Sequence, residues 1–187
     1  TEIYTLSLHD ALPICYTVSN ISRALVMGLT GSHFVKVPSN IAPETKRYYQ
    51  QLTRYSAAFA FLSDISMGTM GGALKRKEKL SARLGDILSL MYLVSATLKR
   101  YEAEGRQPED APLMHWAVWD AMFKIQNAFE GVIANFPNKF FAAVLRHVVV
   151  FPIGRPYVVP SDRLGHDVAK LLINPSATRD RLVSDCY

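Results

Sequence analysis

The sequence is short of the features that announce a function by themselves. Cysteine is nearly absent: only Cys15 and Cys186 occur among 187 residues, near opposite ends. There is no C-x-x-C pair and no Cys/His cluster. A disulfide scaffold and a structural zinc site are thereby excluded, and a reducing compartment is the simple reading. His33, His115, His147 and His166 show no H-x-x-x-H or H-E-x-x-H spacing, so no metal site is expected. The glycines Gly28, Gly31, Gly68, Gly71 and Gly72 form no G-x-G-x-x-G after a strand, which removes a Rossmann dinucleotide site. No serine sits in a G-x-S-x-G elbow. No window of about 20 residues is free of charge, so a multi-span membrane protein is excluded. Ten glycines and ten prolines are ordinary, which excludes collagen-like and linker-like classes. Internal repeats and low-complexity tracts are absent as well.

What is present is a globular composition. The chain is 49% hydrophobic and 20% charged, enough apolar material for one or two domains with a sizeable core and too much for disorder. Its 21 Lys and Arg against 16 Asp and Glu leave a charge of +5. That excess favours anionic partners: phosphates, nucleic acid, CoA thioesters or acidic lipid surfaces. Nucleic acid is not expected among them, because no recognition-helix signature or exposed aromatic platform accompanies the charge.

The first 16 residues stand apart. TEIYTLSLHDALPI lacks the basic region, long apolar stretch and small-residue cleavage site of a signal peptide, and the chain starts at Thr1 rather than Met. Residues 1–16 are expected to be a non-native or disordered leader, and the chain a piece of a longer protein.

Beyond it the apolar spacing is helical. Residues 20–30 suit a short helix capped by Asn20 or Ser22 and interrupted at Gly28, Gly31 and Ser32, and residues 34–40 an extended connection. A long helix is expected from about Ala42, with Pro43 in its first turn and Glu44 facing the positive end of its dipole. Tyr48, Leu52, Tyr55, Phe59, Leu62, Ile65 and Met70 recur at helical steps. Gly71-Gly72 should break it. The clearest stripe follows: Leu80, Leu84, Ile87, Leu88, Met91, Val94, Leu98 and Tyr101, with Gly105 and Pro108 as its end. Leu84, Leu88, Met91 and Leu98 are read as core. Asp110 is the expected cap of a helix carrying Trp116, Trp119, Phe123 and Phe129, read as core aromatics. Asn138 should cap a helix over 139–151, with Val148–Phe151 as its end. Residues 152–160 read as a proline-rich connector, and Ser161 and Ser176 as caps of short final helices. The expected fold is all-α: an antiparallel helical bundle over residues 17–151, then a proline-rich connector and short C-terminal helices over 152–187.

Catalytic residues do not emerge. Asp64 and Asp86 lie within helices among apolar neighbours, and Asp120 and Glu130 are ten positions apart. Paired or capping carboxylates are the expectation for such positions. The densest charge run is Lys75, Arg76, Lys77 and Lys79 around Glu78, placed where a helix dipole disfavours cations. Phe140, Phe141, Val144, Leu145, Val148, Val149 and Phe151 form a second feature, an apolar run flanked by Lys139, Arg146, His147 and Arg155; cover by protein is its first expected role, and a membrane interface the alternative. Both are candidates for contact with anions or a membrane surface, the named residues being Lys75, Arg76, Lys77, Lys79, Phe140, Phe141 and Arg146.

Longer stretches carry a resemblance. YYQQLTRYSAAFAFLSDISMGTMGGALKRKEKLSARLGDILSLMYLVSATLKRY (48–101) is similar to the C-terminal region of bacterial long-chain acyl-CoA dehydrogenases. HWAVWDAMFKIQNAFEGVIANFPNKF and FPIGRPYVVPSDRLGHDVAKLLINPSATRDRL resemble the bacterial-type extension after the catalytic core, in order, across residues 20–183. The resemblance implies a parent enzyme that uses FAD to convert acyl-CoA to trans-2-enoyl-CoA in fatty-acid β-oxidation. In that family a carboxylate takes the α-proton, the flavin takes the hydride, and an electron-transferring flavoprotein accepts the electrons. No residue here matches the catalytic glutamate or the main flavin contacts. The implied role is accessory: packing on the catalytic core of the same polypeptide, homo-oligomer contacts, and peripheral contact with the inner face of the plasma membrane from the cytoplasm. The fragment alone is expected to bind no FAD and to be inactive. The rival reading is a free-standing helical interaction or membrane-surface module without redox activity.

Overall fold

A computed structural model describes residues 8–146 and 156–183, with side chains from residue 18 onward. Among these residues seven α-helices and no strand occur: α1 (Leu8–Leu29), α2 (Lys46–Met70), α3 (Glu78–Ala103), α4 (Ala111–Ala134), α5 (Lys139–Val144), α6 (Asp162–Ile173) and α7 (Ala177–Val183). The all-α expectation stands. Helix directions follow from cross-chain contacts. Asn20 of α1 reaches Asp64 of α2, while Gly31 beyond α1 meets Arg47 at the start of α2, so these two run antiparallel. Arg83 near the start of α3 lies against Gly131 near the end of α4, so that pair, the most extensive in the fold, is antiparallel too.

The core is where α2, α3 and α4 meet. Tyr55, Leu62, Ile87, Leu98, Met122, Ile125 and Phe129 are all sealed from solvent. On α3 the buried positions are Leu80, Ile87, Met91, Val94, Leu98 and Tyr101, spaced 7, 4, 3, 4 and 3 apart, which is one helical face. Two members of the expected stripe are less covered, although Leu84 still packs against the core. Leu84 is half-buried, and Leu88 is 56% exposed, so Leu88 is not a core residue. The physical reason is angular: Leu88 follows Ile87 by one residue, about 100° round the helix, and Ile87, at 0% exposure, is the one that faces the core. On α2 the buried line is Tyr48, Gln51, Tyr55, Ala58, Leu62 and Ser66, whereas Leu52, Phe59, Ile65 and Met70 are only partly covered. Phe129 is buried as expected, but Trp119 and Phe123 are half-buried and Trp116 is at the surface.

Several boundaries differ from the sequence expectation. Helix α1 begins at Leu8, inside the stretch set aside as a leader, and passes through Asn20, Ser22 and Gly28 without a break. Asn20 and Ser22 are therefore not caps. Asn20 bonds across to Asp64, and Ser22 donates to the Ser19 carbonyl within the helix. The chain turns instead at Gly31 and Ser32, both at φ near +60° (57° and 59°). Helix α2 starts at Lys46, because Ala42 and Thr45 are held by Glu102 in a turn that precedes it. Glu44 accepts a hydrogen bond from the Tyr101 hydroxyl rather than serving the dipole. Gly71, at φ 49°, does end α2, and a 3-10 turn over Gly71–Arg76 leads into α3. Asp110 is not a side-chain cap of α4, since its carboxylate is used by α7. Asn138 caps α5 as expected, accepting from the amides of Phe140 and Phe141. The helix continues only as far as Arg146 within the described residues. Val148–Phe151, His147, Cys186 and the connector's first four residues lie outside them. Ser161 caps α6, and the Ser176 hydroxyl accepts from the Arg179 amide at the start of α7.

Helix α2 with its following turn is long and apolar enough to cross a membrane by length and composition. Its face toward α3 and α4 is nevertheless filled by protein, with Tyr55, Leu62 and Ser66 at 0% exposure.

Candidate functional site

The four cations of the densest charge run are all exposed, and none forms an ion pair or side-chain hydrogen bond among the described residues. Lys75 and Arg76 end the 3-10 turn, where cations suit the carbonyl end of a helix; only Lys77 and Lys79 sit at the start of α3. Glu78 stands between those two. The dipole conflict expected for all four therefore applies to half the cluster. The Phe pair also divides. Phe140 is 71% exposed, whereas Phe141 packs against the core and Arg146 is half-buried. Phe140 and Phe141 contact each other edge to face at 5.8 Å between ring centres.

The carboxylates are spread out. Asp64 takes the Asn20 amide at 2.9 Å, Asp86 is exposed, and Asp120 pairs with Lys124 one turn on at 2.7 Å. The pairing expectation holds for Asp120, whereas Asp86 stands at the exposed surface of α3. Among the described residues no group of three or more His, Cys, Asp or Glu could hold a metal. His115 is committed through Nδ1 to the Tyr48 hydroxyl at 2.9 Å, and His166 to the Asp162 carbonyl at 2.8 Å.

Polar chemistry concentrates at one end of the bundle, where α2 and α4 begin and α3 ends. There Glu102 accepts from the Ala42 amide (2.9 Å), the Thr45 hydroxyl (2.7 Å) and Arg106 (2.5 Å). Burial works to raise the Glu102 carboxyl pKa, but these three donors and the Arg106 charge outweigh it and leave it below the usual range. Tyr101 donates to Glu44, and burial with that bond pushes its phenol up to about 12. Burial with the nearby Glu44 charge does the same to Tyr48, also to about 12. Both phenols thus stay protonated in ordinary conditions.

Beside this network, α7 is strapped to the bundle. Asp110 accepts from Thr178 Oγ1 at 2.5 Å, from Arg181 Nη2 at 2.5 Å and from Arg181 Nε at 3.1 Å. Arg100 donates to the Arg181 carbonyl at 3.2 Å and pairs with Glu104 at 2.6 Å. Burial again works to raise the Asp110 pKa, and the bonds and charges of Arg181, Thr178 and Arg100 overcome it. Beneath the strap, between α3, α4, α6 and α7, lies a cleft of about 360 Å³.

Two polar anchors were not foreseen from sequence. Gln126, 1% exposed in the apolar face of α4, holds the connector by both ends of its amide: Nε2 donates to the Tyr157 carbonyl (3.0 Å) and Oε1 accepts from the Tyr157 amide (3.4 Å). Trp119 adds an indole bond to the Val158 carbonyl at 2.7 Å and an edge-on contact to the Tyr157 ring. On α2, Arg47, Gln50 and Gln51 donate to carbonyls of Gly31 and His33, satisfying the turn that covers them. A polar residue inside an apolar stripe was the available signal in each case.

None of this assembles a nucleophile, a base and an oxyanion site, and the arrangement among the described residues is that of braces and docking faces. Residues 12–187 match a family model described as acyl-CoA dehydrogenase, C-terminal, bacterial type. No solved structure matches the chain.

Proposed function

Because the chain belongs to the bacterial-type acyl-CoA dehydrogenase C-terminal family, we propose that it serves as the helical C-terminal region of an FAD-dependent enzyme converting acyl-CoA to trans-2-enoyl-CoA. Its contribution is a docking scaffold for the catalytic core of the same polypeptide and for a second subunit. The flavin, the α-proton base and the contact with electron-transferring flavoprotein belong to that core. The observation that carries this reading is the length of the family match, 176 of 187 residues counted from 12 to 187. The outer face of α3 supports it. Leu88, Tyr92 and Leu93 are 56%, 73% and 55% exposed, and no charge occurs between Asp86 and Lys99. An apolar face of that kind is suited to cover by protein.

The test has two arms. The reading frame upstream should encode a flavin-binding core; a start codon near Ile21 would support the free-standing module instead. The purified chain, incubated with FAD and then freed of unbound flavin by gel filtration, should carry no flavin absorbance and show no acyl-CoA oxidation. A yellow, active protein would overturn the scaffold role.

The exposed, unpaired Lys75, Arg76, Lys77 and Lys79 and the projecting Phe140 favour a second role, peripheral contact with anionic lipid at the inner face of the plasma membrane. Of the two phenylalanines, Phe140 is the one suited to insertion, since Phe141 is engaged by the core. Sedimentation with anionic liposomes should fall for Lys75→Glu/Lys77→Glu and for Phe140→Ser. Unchanged binding in both would remove this role.

A further inference from the structure

We propose that the cleft under α7 is a binding site for a single hydrocarbon chain with an uncharged head group. It goes beyond the scaffold role and does not rest on it. One side of the lining is apolar, Leu113, Met114 and Ala117 of α4, Leu172 of α6 and Leu182 of α7; the rest is polar, from Thr97 to Glu104 at the end of α3 and from Asp110, Thr178 and Arg181. On the apolar side, hydrocarbon and thioether groups give water few partners. Its volume of about 360 Å³ lies within the size range of small-molecule sites. A cavity of ~150 Å³ accepts benzene, so this one has room for a chain of about eight to ten carbons.

The cleft is held open by built contacts. Left to apolar attraction alone, α7 would settle onto Leu113 and Met114. Instead Thr178 and Arg181 fix it to Asp110, and Arg100 holds the Arg181 carbonyl. These bonds set the distance of Leu182 from α4 and leave the space between them.

The same bonds select the head group. The polar side carries Arg100 and Arg181, but Glu104 matches the first and Asp110 the second. Glu109 lies a further 3.9 Å from Arg181. A carboxylate or phosphate arriving there would have to displace a partner already in place, whereas a hydroxyl can share these donors and acceptors.

Titrate the 187-residue chain with 1-decanol and follow the methionine methyl resonances by NMR, with calorimetry for affinity. The Met114 methyl should shift saturably with one equivalent. Ala117→Phe, which places a ring in the cleft, should weaken binding at least tenfold, while Ala96→Phe on the exposed side of α3 should not. Should Ala117→Phe fail to fold by circular dichroism, Leu172→Trp at the half-exposed rim serves the same purpose. Decanoate should bind several-fold more weakly than decanol. No saturable Met114 shift, or an unchanged affinity in the folded cleft variant, would overturn the site; tighter decanoate binding would overturn the neutral-head assignment.

Discussion

Ile87 and Leu88 are neighbours in sequence with opposite environments, at 0% and 56% exposure. Both are large, aliphatic and helical, so their different contributions to stability come only from direction. Truncation of Ile87 to alanine removes buried methyl groups and leaves a cavity in the core, which should cost about 2–5 kcal/mol. Leu88→Ala should cost below about 0.5 kcal/mol, the scale of ordinary surface substitutions. Urea denaturation of the two variants checks the pair, and equal losses would show that the outer face of α3 is covered in the isolated chain.

Helix ends offer a second contrast. At the end of α3, Gly105 takes φ 85° and lets the Arg106 amide reach the Tyr101 carbonyl at 3.0 Å, a bond that closes the last turn. A β-carbon is disfavoured in that backbone region, so Gly105→Ala should lose about 1–2 kcal/mol. Gly68 lies inside α2, and a β-carbon there would meet nothing within 4 Å. Gly68→Ala should gain about 0.5–1 kcal/mol through helix propensity and a less flexible unfolded chain. Thermal melts of the two alanine variants should move in opposite directions.

For the molecule as a whole, the late segments depend on distant partners. Helices α6 and α7 and the connector are tied back to α3 and α4 by Gln126, Trp119, Asp110 and Arg100. The Asp110 carboxyl titrates below its ordinary range in the folded state. The stability it contributes is therefore complete above about pH 4, the ordinary aspartate value, and is lost as pH falls through the lower folded value. Arg181 is partly exposed, so solvent screens the pair, and Asp110→Asn should cost about 1 kcal/mol at pH 7. The variant should also lose less stability than the parent between pH 5 and pH 3, by about that same amount. Urea titrations at the three pH values check this, and parallel curves would remove Asp110 as the strap.

Local pattern determined the helical class, the breaks at Gly71 and Gly105, and the caps at Asn138, Ser161 and Ser176, because spacing, backbone freedom and capping chemistry act within a few residues. It also determined most of the α3 face, where one apolar stripe allows one buried direction. The rest depended on which surface meets which. Leu88 is outside because Ile87 takes the contact; Glu44 and Asp110 left their helix starts for Tyr101 and Arg181; Gln50 and Gln51 are buried by a turn some 17 to 20 residues earlier. The cleft under α7 was illegible for the same reason. Its walls come from four helices, and no local pattern records that Thr178 and Arg181 will find Asp110 about 70 positions away (68 and 71).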